Sequence, residues 1–261
     1  MQKNLWFNGQ IYTVNEKQIW AEAIVTEGNK IVFIGSNDEA KEFAGPQCEK
    51  FNFQNKLVLP GFIDSHVHFM IGGLSLTRLD LGNIKSKEEF KNEVAEYSKN
   101  NNTDWILGGN WNHLQFDEKI LPTKEWVDSI TDKPIYLTRV DIHTALVNSI
   151  ALRLAGITKE TPNPDGGQIV RDSFGEPTGI LKDSAMNLVS ALIPQPTEKE
   201  YEIALHAAQR EALKNGITSV HDITEEKYFQ LYQKLLEQDK LKTRINCIKI
   251  FVHFVLLIIL N

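Results

Sequence analysis

The stretch "PGFIDSHVHF", residues 60–69, sets His66 and His68 two positions apart at the end of an apolar run. Side chains of an extended strand alternate between its faces. Phe62, Asp64, His66 and His68 therefore share one face, and Ile63, Ser65 and Val67 share the other. Two imidazoles one strand step apart can both reach a single divalent ion at about 2.0–2.1 Å. Asp64, on the same face, is placed to orient such a ligand from behind. Pro60-Gly61 marks the strand entry, and Gly72-Gly73 is expected to free a loop beyond it. A bare His-x-His also suits one histidine packed in a core and another on a loop. Its position favours the metal: the pair ends a strand that opens a series of βα units, where barrel enzymes keep their chemistry.

Other side chains stand at comparable places. Trp111 and His113 follow the strand "WILGG" and are candidates to line a pocket, against a core tryptophan beside a surface histidine. His143 follows the buried-looking run "PIYLTRV". His221 and Asp222 end "ITSVHD", with Asp222 also suited to capping a helix. His206 falls inside an amphipathic helix and reads as structural, and His253 sits in the apolar tail and is assigned no role.

The elements that must position these residues follow from pattern. Residues 1–59 read as a small β module, with Asn8-Gly9 and Glu27-Gly28-Asn29 as hairpin turns and "KLVLPG" closing it. From residue 60 strands and helices alternate, which predicts parallel βα units. "FIDSHVHF", "DWILGGNW", "PIYLTRV" and "ITSVHD" are strands. Ser86 with Glu89, and Thr197 with Glu200, form capping boxes for helices over 87–99 and 198–215. Tyr201, Ala204, Leu205, Ala208 and Ala212 make the buried stripe of the second. "LPTKEWVDSI" reads as a short helix capped by Thr123, and "ALVNSIALRLAG" as a helix ended by Gly156. "NPDGGQIVRDSFGEPTGILKD" reads as an inserted hairpin. "TEEKYFQLYQKLLEQDK" is the last clear helix, with acids in its first turn.

The bulk numbers narrow the classes. A chain of 261 residues with 42% hydrophobic and 24% charged content can bury a real core. A net charge of −6 and scattered Lys and Arg argue against a nucleic-acid partner. Cys48 and Cys247 lie far apart and in no metal-like spacing, which suits a reducing, cytoplasmic setting. The N-terminus lacks the apolar segment of a signal peptide. Residues 245–260, "INCIKIFVHFVLLIIL", are the most apolar stretch, yet shorter than the roughly 20 residues of a membrane span and interrupted by Lys249 and His253.

Taken with "VLPGFIDSHVHF", the stretches "GGNWNHLQF", "LPTKEWVDSI", "DKPIYLTRVDIHTALVNSIALRLAGIT", "GEPTGILKDSAMNLV" and "NGITSVHD" resemble the amidohydrolase superfamily, in its amidohydrolase-3, YtcJ-like branch. The resemblance runs from residue 5 to about 244. It implies an α/β fold: a (β/α)8 metal-dependent hydrolase barrel, here partial, beside a small N-terminal β-sandwich module. It implies one or two divalent metals, commonly zinc, and hydrolysis of an amide-like, non-peptide carbon–nitrogen bond of a small-molecule substrate. It makes His66 and His68 the first two ligands and places a third, often bridging, ligand at Asp183 or Lys182. Neighbours in a strand face opposite ways, so only one of these two is expected to reach the metal, and Asp183 is already an anion at neutral pH. The resemblance puts His143 on the substrate side, with Asn148 near it.

The family's remaining histidines and catalytic aspartate come from later barrel strands, which would follow residue 244. The span 60–244 falls short of the ~250 residues that such a barrel takes. The expected division is therefore a β module over 1–59, an incomplete barrel over 60–244, and an aberrant tail over 245–261. That tail reads as a truncated or out-of-frame product, or as a strand leading to a membrane tether. On these readings the chain is either a weakened hydrolase, or an inert fragment or tethered accessory protein.

Overall fold

The computed structural model describes residues 2–251 and 254–260, with side-chain surroundings up to Ile248. The chain divides into two compact units, Met1–Asp64 with Gly216–Ser219, and Ser65–Asn215 with Val220–Asn261.

The first unit carries β1 (Lys3–Phe7), β2 (Gln10–Tyr12), β3 (Trp20–Ala21), β4 (Ala23–Glu27), β5 (Lys30–Gly35), α1 (Asn37–Ala44), β6 (Glu49–Asn52), β7 (Leu57–Val58) and the start of β8 (Phe62–Val67). Its strands form a four-stranded sheet in the order β5-β4-β1-β6 and a three-stranded sheet in the order β3-β2-β7. The turn at Gly28-Asn29 makes the expected hairpin of β4 and β5. Asn8-Gly9 does not make one. β1 pairs with β4 and β6, while β2 pairs with β3 and β7, so this turn hands the chain from one sheet to the other. Helix α1 is absent from the sequence reading because it is short and buries a single residue, Ala40, leaving no periodic stripe. Its start is nonetheless written in a complete Ser36–Glu39 capping box.

The second unit continues β8 and adds α2 (Phe69–Leu76), β9 (Leu79–Asp80), α3 (Lys87–Asn100), β10 (Ile106–Trp111), β11 (Ile135–Arg139), β12 (Thr144–Val147), α4 (Ser149–Leu154), β13 (Gly167–Arg171), β14 (Pro177–Asp183), α5 (Asn187–Ser190), α6 (Glu198–Lys214), the larger part of β15 (Ile217–Ile223, which starts in the first unit), α7 (Glu226–Glu237), β16 (Arg244–Phe251) and β17 (Phe254–Leu260). A six-stranded sheet runs β13-β14-β12-β11-β10-β9, and a four-stranded sheet runs β17-β16-β15-β8.

Within the six-stranded sheet, β9, β10 and β11 are parallel neighbours. β12 turns back antiparallel on β11, and β14 is antiparallel to both β12 and β13. The reading of "ALVNSIALRLAG" as one helix is thereby corrected. Thr144–Val147 is a strand, and a short helix starts only after Asn148. The physical reason is burial on both faces. Ile135, Leu137, Leu146 and Ile180 pack in one cluster, while Tyr136, Ala145, Val147 and Leu181 pack in another. A strand apolar on both sides loses its alternation and reads like buried helix.

Two further expectations change. Gly72-Gly73 lies inside helix α2, where the sequence suggested a loop. A Cβ at Gly73 would stand 2.3 Å from the Ala204 carbonyl oxygen of α6, so the glycine lets the two helices close on each other. The short helix in "LPTKEWVDSI" is a single 3-10 turn, Lys124–Trp126. Both long helices form, α6 with the full reciprocal box of Thr197 and Glu200, whereas at α3 the Ser86 hydroxyl accepts the Glu89 N–H but the Glu89 carboxylate accepts the Lys85 N–H, so the expected box is half made. On α6 the buried residues are Ala204, Leu205, Ala208, Gln209 and Ala212, while Tyr201 is only half-buried. The apolar tail pairs β16 with β17 in an antiparallel ladder. Among the described residues no helix is long and apolar enough to cross a membrane. His253 lies outside the described residues.

Candidate functional site

Strand β8 ends at Val67, and His68 is the residue before α2, with φ −102° and ψ 77°. The chain thus leaves the strand between the two histidines. Even so, their rings stay together, with centroids 5.8 Å apart and planes at 77°. Ring centroids that each lie roughly 3 Å from a shared ion are separated by at most about 6 Å. The separation of the pair lies within that limit. Among the described residues no group of three or more His, Cys, Asp or Glu side chains is assembled closely enough to hold a metal.

Beside His68 stands Asp222, the penultimate residue of β15, only 1% exposed. One carboxylate oxygen accepts the Phe69 N–H at 2.6 Å, and the other accepts the Tyr232 hydroxyl of α7 at 2.9 Å. Burial raises its pKa, and the Phe69 N–H, the Tyr232 hydroxyl, Thr224 and His68 pull it back. Burial and the adjacent Asp222 raise the Tyr232 phenol in turn. The buried Cys247 thiol is pushed up to about 12 by burial and by Asp222, which leaves it an inert thiol. The cap expected of Asp222 is real, but the helix it serves is α2, distant in sequence.

A second polar group gathers at one edge of the six-stranded sheet. Asp183 Oδ1 lies 3.1 Å from His143 Nδ1, and the Asp183 N–H donates to the His143 carbonyl at 2.9 Å. The His143 N–H donates to Asp141 at 3.1 Å, and Asp141 also accepts from Arg139 Nη1. Ile142 and Asp183 hold φ of 59° and 49°, conformations that side chains resist. For a β-branched residue such as Ile142 this is strain of the kind stored at functional sites. Arg139 and Asp141 are not among the residues singled out from the sequence. Their spacing at a strand end, Arg-x-Asp, is the signal that could have found them.

The remaining candidates divide. Asp183 turns to His143 and is not grouped with His66 and His68. Lys182 lies half-buried in β14, opposite Thr144 of β12 and Gln168 of β13. Trp111 is fully buried, its indole N–H donating to the Leu137 carbonyl at 2.9 Å, which places it in the core. His113 is half-buried beside it, and its Nδ1 has no hydrogen-bond partner among the described residues. Burial lowers the His113 pKa, and nearby Arg139 lowers it further. Asn148 is fully buried. Its Oδ1 accepts from Ala151 and Ile135 N–H, each at 3.0 Å, and its amide donates to the Lys133 carbonyl at 2.9 Å. That side chain is spent on the fold, which corrects the substrate-side expectation for it.

A paired-histidine turn after a strand, in a mixed α/β chain, is compatible with a metal-dependent hydrolase, and comparison with known proteins defines the class. The model of the amidohydrolase family, Amidohydro_3, matches residues 51–256, so the chain belongs to that family. It is 36% identical over 222 residues to the YtcJ amidohydrolase of Bacillus subtilis (strain 168), covering 84% of this chain and 42% of that one. It is 38% identical over 218 residues to the protein LONG AFTER FAR-RED 3 of Arabidopsis thaliana, covering 83% and 37%. It is 30% identical over 243 residues to an N-substituted formamide deformylase of Arthrobacter pascens, covering 90% and 45%. The crystal structure of a metal-dependent hydrolase from Pyrococcus furiosus superposes with a TM-score of 0.72 at 27% identity, over 95% of this chain and 50% of that one. The chain thus spans half or less of the length of these relatives.

Proposed function

We propose that the chain is the metal-binding portion of a hydrolase that cleaves a non-peptide carbon–nitrogen bond, of amide or formamide type, in a small molecule. The observation that carries this reading is the closeness of the His66 and His68 rings at the end of β8, in a chain of the amidohydrolase family. A divalent ion, zinc foremost, would supply Lewis-acid activation of water for attack on a carbonyl carbon. His66 and His68 would hold it as neutral imidazoles. His143, oriented through Nδ1 by Asp183, leaves Nε2 to meet a polar group of the substrate. The formamide class is suggested by the Arthrobacter relative. Two free cysteines suit a cytoplasmic setting.

The test is reconstitution. The purified chain is stripped of metal, reloaded with Zn2+ or Co2+, and assayed with N-substituted formamides. Metal-dependent hydrolysis that disappears in His66→Ala and in His68→Ala is expected. A wild-type chain that takes up no ion overturns the reading. A second reading, a catalytically inert member of the family, is favoured by the donor count, since two imidazoles stand without a grouped third donor among the described residues. Stoichiometric metal binding without turnover would select it.

A further inference from the structure

We propose that Asp222 is the positioning residue of the metal pair: anchored by Tyr232, its carboxylate clamps the Phe69 amide and so holds His68 over His66. The inference rests on the metal-binding reading above and adds a residue that the ligand pattern does not contain.

A histidine inside a strand is oriented by the ladder on both sides. His68 is not, because the strand stops at Val67 and helix α2 begins at Phe69. Its backbone sits in neither a strand nor a helix conformation, and its own side chain makes no cap bond to α2. Something else must fix the torsions that aim the imidazole. Asp222 is placed to do so, since it accepts the first N–H of α2 at 2.6 Å. That N–H is one of the orphan donors of a helix start, and an anion there is favoured by the helix dipole.

A buried carboxylate is costly unless both oxygens are used. Here both are, one on Phe69 and one on the Tyr232 hydroxyl, which comes from a fully buried ring on α7. The carboxylate therefore cannot swing without leaving a buried donor unpaired. From the other side α2 is fixed against α6 at Gly73, where the backbones approach too closely for a Cβ. A clamp at the first N–H and a close contact along the helix together set the position of α2, and with it the exit angle of His68. The raised pKa of Asp222 agrees with a group kept for its geometry against the cost of burial.

The test reads ring geometry and ion binding separately. Nuclear Overhauser contacts between the His66 and His68 rings are measured in metal-free protein, and Co2+ affinity and the Co2+ ligand-field spectrum are measured by titration. Asp222→Ala should abolish the ring–ring contact and weaken Co2+ binding by about tenfold or more, as loss of a supporting partner does. Asp222→Asn, which keeps an acceptor for Phe69, should restore most of both. Tyr232→Phe should lower affinity by about threefold and broaden the His68 ring signals. A purely structural role would leave the Co2+ spectrum of the folded variants unchanged. Retained ring contacts with wild-type affinity in a folded Asp222→Ala overturn the proposal. Should that variant not fold, Tyr232→Phe and Asp222→Asn decide on the same readouts. If wild-type protein binds no Co2+, the metal reading fails by itself, and the ring contacts still decide the positioning claim.

Discussion

The histidine pair at the end of β8 and the His143–Asp183 pair at the edge of the six-stranded sheet carry similar side chains on opposite kinds of support. At the first, the supporting carboxylate Asp222 is 1% exposed and bonded at both oxygens. At the second, the side chains of His143 and Asp183 are 73% and 55% exposed, and the neighbouring fold rests on other residues. Around the first pair, stability and chemistry fall on the same residue. Around the second they are separated, with Trp111 and Asn148 carrying the fold and His143 and Asp183 left free for a ligand. An exposed ion pair contributes little to stability, whereas a buried, fully bonded group cannot be removed without an unpaired donor.

The largest effect expected from this separation is at Trp111. Trp111→Ala removes a fully buried ring and the indole bond to Leu137, and should cost ~3–5 kcal/mol in chemical denaturation. Co2+ affinity at His66 and His68 should stay unchanged while the protein is folded. A loss of ion affinity in step with stability would show that the two regions are not independent. Asn148→Ala comes next, at roughly 2–3 kcal/mol, because it removes the cap of α4 and strands the buried Ile135 N–H. Equal stability of the mutant would mean that the amide is not spent on the fold, which would reopen a ligand role for it.

These two residues also mark where the sequence is readable. Capping boxes depend on neighbours in the chain, so Thr197–Glu200 is legible and forms in full, while at Ser86 the hydroxyl accepts the Glu89 N–H and the Glu89 carboxylate turns to the Lys85 N–H instead. The hairpin at Gly28-Asn29 is local too, and it forms. What depends on partners distant in sequence is not legible. Asn8-Gly9 has a hairpin's composition, but the pairing of β1 with β4 and β6 overrides it. "ALV" before Asn148 reads as helix because a strand buried on both faces carries no alternation. At the site, the His-x-His spacing points to its own candidate residues. The Asp222 clamp on Phe69 bridges 153 positions, and no local pattern announces it. Arg139 and Asp141 were legible as a spaced pair, whereas the turn of Asp183 towards His143 depends on β12 and β14 pairing antiparallel.

A smaller effect tests the helix that backs α2. Glu200 closes the capping box of α6, and its hydrogen bonds to the Thr197 side chain and backbone lower its pKa. A carboxylate whose folded pKa is depressed stabilises the fold above its unfolded pKa of 4.5, and loses that contribution as pH falls through the folded value. Glu200→Gln should therefore be less stable than wild type near neutral pH, with the difference closing below pH 4.5 as the wild-type carboxylate protonates. Thr197→Ala should cost about 1 kcal/mol in the same measurement. A gap between Glu200→Gln and wild type that persisted at low pH would assign the effect to packing and not to charge.

The smallest effect is the sharpest test of the comparison. His143→Ala and Asp183→Asn each remove one partner of an exposed pair, and each should change stability by less than about 1 kcal/mol. Asparagine matches aspartate in size and in backbone preference, so Asp183→Asn should sit at the low end of that range. Both variants should retain the His66–His68 ring contacts, because Asp183 is grouped with His143 and not with that pair. If Asp183→Asn instead reduces Co2+ uptake as strongly as His68→Ala, the carboxylate leaves His143 to join the imidazoles when the ion binds. The second region would then be part of the first, and the strain at Asp183 would be the stored energy of that rearrangement.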